Sequence, residues 1–130
     1  MKQSELRKGN FILDYEGKVR QIDRIYIDCQ PCGPFPMVGY ENVSSDVSFV
    51  RPVKLNESWL VDLGFTARED WPSRFGYSMS HPAGCKVDVF RGEFFFTPSE
   101  IRKEGYQVEY VHELQNLFNE LLEREYHETL

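Results

Sequence analysis

Short apolar runs separated by polar turns fill the first third of the chain. The runs at residues 11–15 and 19–27 flank Gly17, and the second run is rich in β-branched residues. This pattern predicts an antiparallel hairpin. Two further runs at 37–40 and 47–50 predict two more strands. Because several short strands with polar turns are typical of small, strongly bent sheets, we expect an SH3-like N-terminal β-sheet or barrel.

Residues 56–65 have the features of a short helix. Asn56 suits the N-cap position, and Gly64 suits the left-handed residue that follows a helix. Three residues, Trp59, Leu60 and Leu63, fall on the side that faces a core, and Phe65 is placed to fold back onto them. A short central helix is therefore expected after the first group of strands.

Alternating residues return in the second half of the chain. Residues 77–80, 86–90 and 93–97 predict a second antiparallel strand group, in which a turn at residues 91–92 joins the last two strands. Residues 106–110 alternate in the same way and predict one more strand.

The last helix, of about 14–17 residues, is the clearest element of the sequence. Leu114, Leu117 and Phe118 fall on one face of this helix. His112 and Asn116 fall on the opposite, polar face. We expect the first face to pack into the core and the second to be in contact with solvent.

Together these elements predict an α+β fold with an SH3-like N-terminal sheet, a short central helix, a second antiparallel strand group and a C-terminal amphipathic helix. The length of 130 residues suits a single domain, residues 1–130. A boundary near residue 53 would separate a β-rich subdomain at 1–53 from an α+β subdomain at 54–130. Hydrophobic residues make up 41% of the chain, which is sufficient for a packed core.

The net charge of -6 lies at the end of the chain. Residues 104–130 contain seven glutamates and one arginine, whereas residues 1–103 contain fourteen residues of each sign. A nucleic-acid-binding surface normally carries a basic stripe, so the charge disfavours a nucleic-acid partner. No apolar run has the length of a membrane span or of a signal peptide. With an odd number of cysteines, this predicts a cytoplasmic protein that does not bind a membrane.

Four residues form a candidate zinc site. Cys29 and Cys32 make a C-x-x-C pair, and His81 and Cys85 lie in a second loop. Such ligands suit tetrahedral zinc. However, the second half of the motif is H-x-x-x-C, and the three prolines of residues 29–36 predict a stiff loop that restricts a metal-binding turn. We therefore expect no metal or cofactor, and structural zinc is the alternative.

The sequence contains no complete catalytic motif. Ser78 and His81 are residue types found in hydrolases, but no G-x-S-x-G elbow surrounds them. No glycine-rich phosphate loop occurs, and His112 has no paired nucleophile. We therefore expect that the protein is not an enzyme.

Aromatic residues beside irregular segments point to binding. Phe35, Trp71, Phe75 and Tyr77 fall in or beside such segments, where aromatic side chains often anchor protein interfaces. The same rings also serve to close the open ends of a small barrel, because aromatic residues dominate cores and interfaces alike. Both interpretations stay open from the sequence.

Four segments in combination resemble a known family: LRKGN at 6–10, VKLNESWL at 53–60, LGF at 63–65 and YVHELQNL at 110–117. The chain resembles a family of small proteins of Bacteroides-type gut bacteria, their prophages and mobile elements, for which no reaction, cofactor or catalytic residue is assigned. Residues 29–46 and 67–85 have no counterpart in that family. The resemblance implies a bacterial or phage-borne cytoplasmic protein and implies nothing about chemistry.

The leading interpretation is a non-enzymatic protein-interaction module with an unknown protein partner, and self-association into a homo-oligomer stays open. His112 and Asn116 join the aromatic residues as interaction candidates, and the zinc protein is the alternative. The third interpretation is a nucleic-acid-associated protein whose N-terminal sheet has a basic edge formed by Arg7, Lys8, Lys18, Arg20 and Arg24.

Overall fold

A computed structural model of the protein describes residues 1–29, 33–67, 76–98 and 105–128, with side chains as far as residue 120. The fold is α+β, with two α-helices and mostly antiparallel sheets, as expected. The chain divides into two compact units, Met1–Val53 with Val111–Asn116 and Lys54–Tyr110 with Leu117–Leu130. The expectation of a single domain stays a prediction.

The first unit contains six short strands: β1 Phe11–Leu13, β2 Val19–Gln21, β3 Arg24–Asp28, β4 Phe35–Tyr40, β5 Val43–Asp46 and β6 Arg51–Pro52. They form two three-stranded antiparallel sheets with the orders β2-β1-β6 and β3-β4-β5. The predicted hairpin of β1 and β2 is confirmed. Over the described residues the strands do not close into a barrel, so a closed N-terminal barrel is not what the chain forms.

The chain passes between these two sheets at Ile22 and Asp23. The backbone N–H of Ile22 donates to the carbonyl of Asn10 at 2.8 Å, whereas that of Asp23 donates to the carbonyl of Gly39 at 2.8 Å. Consecutive residues thus bond to neighbours of different sheets. For this reason the run at 19–27, which the sequence predicts as one strand, forms two.

Residues 47–50 form no strand, contrary to the prediction. Val47–Phe49 is a short 3₁₀ helix that follows β5. The Asp46 side chain caps it, since its Oδ1 accepts hydrogen bonds from the backbone N–H and the hydroxyl of Ser48, both at 2.9 Å. Such local side-chain bonds compete with strand pairing.

Phe35 and Pro36 belong to β4 and not to the predicted loop. Pro36 lies opposite Ile27 of β3, beyond Met37, where the pairing of β4 with β5 ends. At that position β4 has a neighbour on one side only, and a residue without an N–H is tolerated there.

The core of the first unit lies between the strands and the N-terminal segment. Ile25 and Met1 pack against its edge. Its buried members are Leu6, Ile12, Ile22, Val38, Tyr40, Val47 and Val50.

The second unit is built on one five-stranded antiparallel sheet with the order β11-β10-β9-β8-β7. Its elements are α1 Glu57–Asp62, β7 Thr66–Ala67, β8 Gly76–Ser80, β9 Lys86–Phe90, β10 Glu93–Thr97 and β11 Tyr106–Val108. The predicted strand group is therefore confirmed. The two-residue strand β7 was not predicted, because two residues are too few to show a period.

The central helix α1 begins and ends as predicted. Asn56 Oδ1 accepts a hydrogen bond from the backbone N–H of Trp59 at 2.9 Å. At the other end Gly64 adopts a φ of +99°, a value that favours glycine. The N–H of Phe65 then donates to the carbonyl of Leu60 at 2.9 Å, and both side chains are buried. This is the Schellman arrangement that ends many helices.

The last helix, α2, covers Val111–Glu128 and is slightly longer than predicted. Its apolar face packs as expected, since Leu114 is buried. The ring of Phe118 lies 6.5 Å from the rings of both Phe65 and Phe96, measured between centroids. The polar face differs from the prediction, as its contacts show below.

Candidate functional site

The outer face of the sheet β3-β4-β5 carries exposed apolar side chains. Tyr26 pairs with Met37 in the antiparallel register, and Phe35 pairs with Asp28. Because paired residues share a face and neighbours along a strand alternate, these side chains lie opposite the core residue Val38. Tyr26 and Phe35 are each 38% exposed. The name aromatic face is used below for Arg24, Tyr26, Asp28, Phe35, Met37 and Asp46.

Arg24 is held in place on this face. Its Nε donates to Asp23 Oδ1 at 2.9 Å, and its Nη2 donates to the carbonyls of Glu41 and Val43 at 3.2 and 3.0 Å. The guanidinium group occupies the space above Gly39, since a Cβ at that position would lie 2.8 Å from Arg24 Cζ. A glycine there is what allows the cation to rest against the sheet.

The aromatic face is acidic at its rim. Arg24 and Asp23 form an ion pair at 2.9 Å, so their charges cancel. Asp28 and Asp46 lie on the same face of the sheet, opposite Phe35 and Met37 respectively. Two carboxylates therefore lie beside the exposed apolar side chains of this face.

A buried carboxylate fixes the hairpin of β1 and β2. Asp14 is 2% exposed, and its Oδ1 accepts hydrogen bonds from the backbone N–H groups of Lys18 and Glu16, both at 2.9 Å. Its Oδ2 accepts from Arg20 Nε, also at 2.9 Å. The bond from Lys18, together with those from Arg20 and Glu16, lowers the pKa of Asp14. The carboxylate of Asp14 therefore has a structural role in the turn between β1 and β2.

Three of the five residues of the predicted basic edge are paired with carboxylates. Arg20 binds Asp14 and also Glu41 at 3.2 Å, and its guanidinium lies 5.8 Å above the ring of Tyr40. Lys18 pairs with Glu16 at 3.4 Å, and Arg24 is paired as described. Such pairing reduces the positive charge that these three side chains offer to phosphate groups.

The side chain of Asn116 forms hydrogen bonds within the protein and does not only contact solvent. Its Nδ2 donates to the carbonyl of Glu5 at 2.7 Å, and its Oδ1 accepts from Asn10 Nδ2 at 2.9 Å. The neighbouring Gln115 accepts from the N–H of Phe11 and donates to the carbonyl of Gly9. The expectation of a solvated face is therefore wrong here, because these amides hold the N-terminal segment against α2.

His112 is buried as well, with 3% of its surface exposed. Its Nε2 lies 3.9 Å from Glu5 Oε2. Burial lowers the pKa of His112, although the charges of Glu113 and Glu5 act in the opposite direction. The residue is thus neither an exposed interaction residue nor an accessible base.

The aromatic candidates separate in the structure. Phe35 is exposed on the aromatic face, whereas Tyr77 is partly buried in β8 and its hydroxyl donates to Glu57 Oε2 at 3.2 Å. Burial raises the pKa of this Tyr77 hydroxyl, and Glu57 adds to the effect. Trp71 and Phe75 lie outside the described residues.

Among the candidate zinc ligands, Cys29 lies in the first unit, whereas the backbone N–H of His81 donates to the carbonyl of Cys85 at 2.9 Å within the second unit. Cys29 is a free, exposed cysteine, and Cys85 is buried. His81 Nδ1 accepts a hydrogen bond from the N–H of Ala83 at 3.0 Å. Within the described part of the chain no cluster of three or more histidine, cysteine or acidic residues is arranged to hold a metal. Cys32 lies outside that part, so the four-ligand site stays a prediction.

Comparison with known proteins adds no assignment. The chain matches no family model, no curated protein and no solved structure. The resemblance to small Bacteroides and prophage proteins therefore stays a prediction. Among the helices that the structure describes, none has both the length and the apolar character needed to cross a bilayer.

Sequence reasoning missed two residues of the aromatic face, Tyr26 and Met37. Both stand in runs that predict strands, but the sequence does not show on which face of a sheet they lie. The register of β3 with β4 decides this, and the register depends on the break at Ile22. Phe35 alone had a recognisable sequence feature, its place among prolines.

Proposed function

We propose that the protein is a non-enzymatic protein-interaction module that binds its partner through the aromatic face. The observation that carries this proposal is the grouping of Tyr26, Phe35 and Met37 on one exposed sheet face. Rigid aromatic side chains offer a large contact area at a low entropic cost and are enriched at interface hot spots. The exposed part of each ring contributes nothing to the hydrophobic stabilisation of the fold, because that part stays in contact with water.

The charge of the face selects the chemistry of the partner. Asp28 and Asp46 flank the apolar side chains, while Arg24 is compensated by Asp23. A complementary partner presents an apolar anchor beside lysine or arginine side chains, because complementary potentials favour association and reject like charges. We therefore propose a basic protein segment as the occupant of the face.

An SH3-like arrangement of the first unit is also part of the proposal. The hairpin of β1 and β2, the meander of β3, β4 and β5, the 3₁₀ helix Val47–Phe49 and the pairing of β6 with β1 follow the strand order of such domains. A fold of this type assigns no function by itself. The proposed function rests instead on the side chains of the aromatic face.

A cytoplasmic location is kept as part of this proposal. Its support is chemical, since the exposed Cys29 is a free cysteine, as is usual in a reducing compartment.

The test uses peptides of fixed apolar pattern that differ only in charge. Fluorescence polarisation measures the affinity of lysine-flanked, uncharged and glutamate-flanked peptides for the full chain. We expect the lysine-flanked peptides to bind at least about tenfold more tightly than the glutamate-flanked ones. Replacement of Tyr26→Thr together with Phe35→Thr should abolish this binding, since the contact area of both rings is lost.

The matched control is Tyr15→Thr, because Tyr15 is 68% exposed but lies in the turn after β1. This control should bind like the unchanged chain. Equal affinity for all three peptide classes, or equal binding by the double variant, contradicts the proposal. A concentration-dependent dimer in sedimentation that the double variant abolishes would replace the basic partner with a second copy.

A further inference from the structure

A pocket of about 320 Å³ opens in the second unit. Its lining includes three apolar residues beside polar ones: Phe94 is half-buried, whereas Leu55 and Val108 are each 2% exposed. The volume falls in the range of about 300–1,000 Å³ that is usual for small-molecule sites. A pocket of this volume therefore suits a small ligand better than a protein partner.

Backbone bonds hold the walls of this pocket. Phe94 and Val108 are paired in the register of β10 with β11. The N–H of Leu55 donates to the carbonyl of Glu109 at 3.0 Å, and Lys54 forms an antiparallel bridge with Tyr110. A site whose walls are already ordered requires little rearrangement when a ligand binds.

The rim of the pocket carries opposite charges that do not neutralise each other. Lys54, Glu93 and Glu109 all line it and are all exposed. The side chains of Lys54 and Glu93 have no ion-pair partner among the described residues. By contrast, Lys86 and Asp88 of the adjoining strand β9 are paired at 3.7 Å. The charges at the pocket are therefore available to a ligand.

We propose that this pocket binds a small zwitterion with an apolar body, of the class of the aliphatic α-amino acids. The ligand ammonium pairs with Glu93, its carboxylate pairs with Lys54, and its aliphatic chain lies against the half-buried Phe94. Charge-assisted hydrogen bonds of this kind are stronger than neutral ones. A ligand with one charge leaves one side chain of the rim without a partner.

The experiment titrates the full chain with leucine, with 3-methylbutylamine, which lacks the carboxylate, and with 4-methylpentanoate, which lacks the ammonium group. Chemical-shift changes of the backbone amides give the affinities. We expect leucine to bind about tenfold more tightly than either analogue, with the largest shifts at Leu55, Phe94 and Val108.

Two charge variants assign the contacts. Lys54→Met should bind leucine no better than the amine, and Glu93→Gln should bind leucine no better than the acid. The controls Lys8→Met and Glu16→Gln change charged residues that do not line the pocket and should keep the preference for leucine. Thermal melts establish that each variant is folded.

Four results overturn the proposal, of which the first three concern affinity. These are the absence of leucine binding to the unchanged chain, equal affinity for leucine and both analogues, and retention of the full preference in both pocket variants. Shifts confined to other residues would place the ligand elsewhere and would have the same effect.

Discussion

Two regions of the first unit differ in what the fold leaves available. At the start of α2, Gln115 and Asn116 each bond through both the oxygen and the nitrogen of their amide groups. On the aromatic face, Tyr26 and Phe35 keep more than a third of their surface exposed. The polar residues that the sequence offers as a candidate site thus form hydrogen bonds within the fold. By contrast, apolar residues of the kind usually found in a core lie at the surface.

This difference indicates that the aromatic face is a better candidate for function than the polar residues of α2. A polar cluster has a structural explanation once every donor and acceptor has a partner. Grouped exposed apolar side chains have no such explanation, because burying them would have stabilised the fold. Substitutions at the start of α2 should therefore destabilise the fold more than substitutions on the aromatic face.

The largest effect is expected at the start of α2. Leu114 is 1% exposed, so Leu114→Ala should reduce the free energy of unfolding by about 2–5 kcal/mol, through lost burial and the cavity left behind. Urea unfolding measures the change. The control Val61→Ala removes a 57% exposed side chain and should change stability by no more than about 0.5 kcal/mol. Equal effects of the two would contradict the assignment of Leu114 to the core.

The amide contacts give the next effect. Asn116→Ala removes the partner of Asn10, which is 1% exposed, and should cost about 1–3 kcal/mol because a buried polar group then lacks its hydrogen bond. Asn10→Ala should cost a similar amount. In the double variant the two losses should not add, since the variants share one bond. Strict additivity would show that the amides do not depend on each other.

The contact of Arg24 with Gly39 has a smaller effect. In Gly39→Ala the new methyl displaces the guanidinium, which then loses its bonds to Glu41 and Val43. Because this region is exposed, we expect a loss of about 0.5–1.5 kcal/mol. Arg24→Ala should cost the same, and the double variant should cost no more than either. A much larger loss for Gly39→Ala alone would mean that the methyl meets something besides this side chain.

The elements with strong local sequence features could be predicted. The ends of α1 follow from Asn56 and Gly64, and the hairpin of β9 and β10 follows from its short turn at Arg91 and Gly92. In each case the residues that decide the structure are neighbours in the sequence.

What the sequence does not show depends on distant partners. Asn116 is engaged because Asn10 lies against it, although 106 positions separate them. The long run at 19–27 breaks at Ile22 because Asp23 bonds to Gly39. The aromatic face and the pocket depend in the same way on strand registers, which a periodic pattern leaves open.

The buried His112 should make the stability of the fold depend on pH. Burial lowers its pKa, while Glu113 and Glu5 oppose the effect only in part. As the pH falls, the unfolded chain therefore takes up this proton before the folded chain does. The stabilisation is complete above the ordinary histidine pKa and is lost as the pH falls from there to the lowered value.

Urea unfolding between pH 8 and pH 5 measures this loss. His112→Gln should show a weaker decline of the unfolding free energy over that interval than the unchanged chain. His81 and His127 are present in both proteins, so their contributions cancel in the comparison. Identical declines would place the proton uptake on other groups.

The smallest effect on stability is expected on the aromatic face. Tyr26→Thr and Phe35→Thr keep a residue type that suits a strand and remove rings that are 38% exposed. Each should change the free energy of unfolding by no more than about 0.5 kcal/mol. Tyr40→Thr, in the same sheet but at a side chain that is 2% exposed, is the matched buried control and should cost several times more. If all three substitutions destabilise the chain alike, the exposed rings belong to the core after all, as they would if they closed one end of a small barrel.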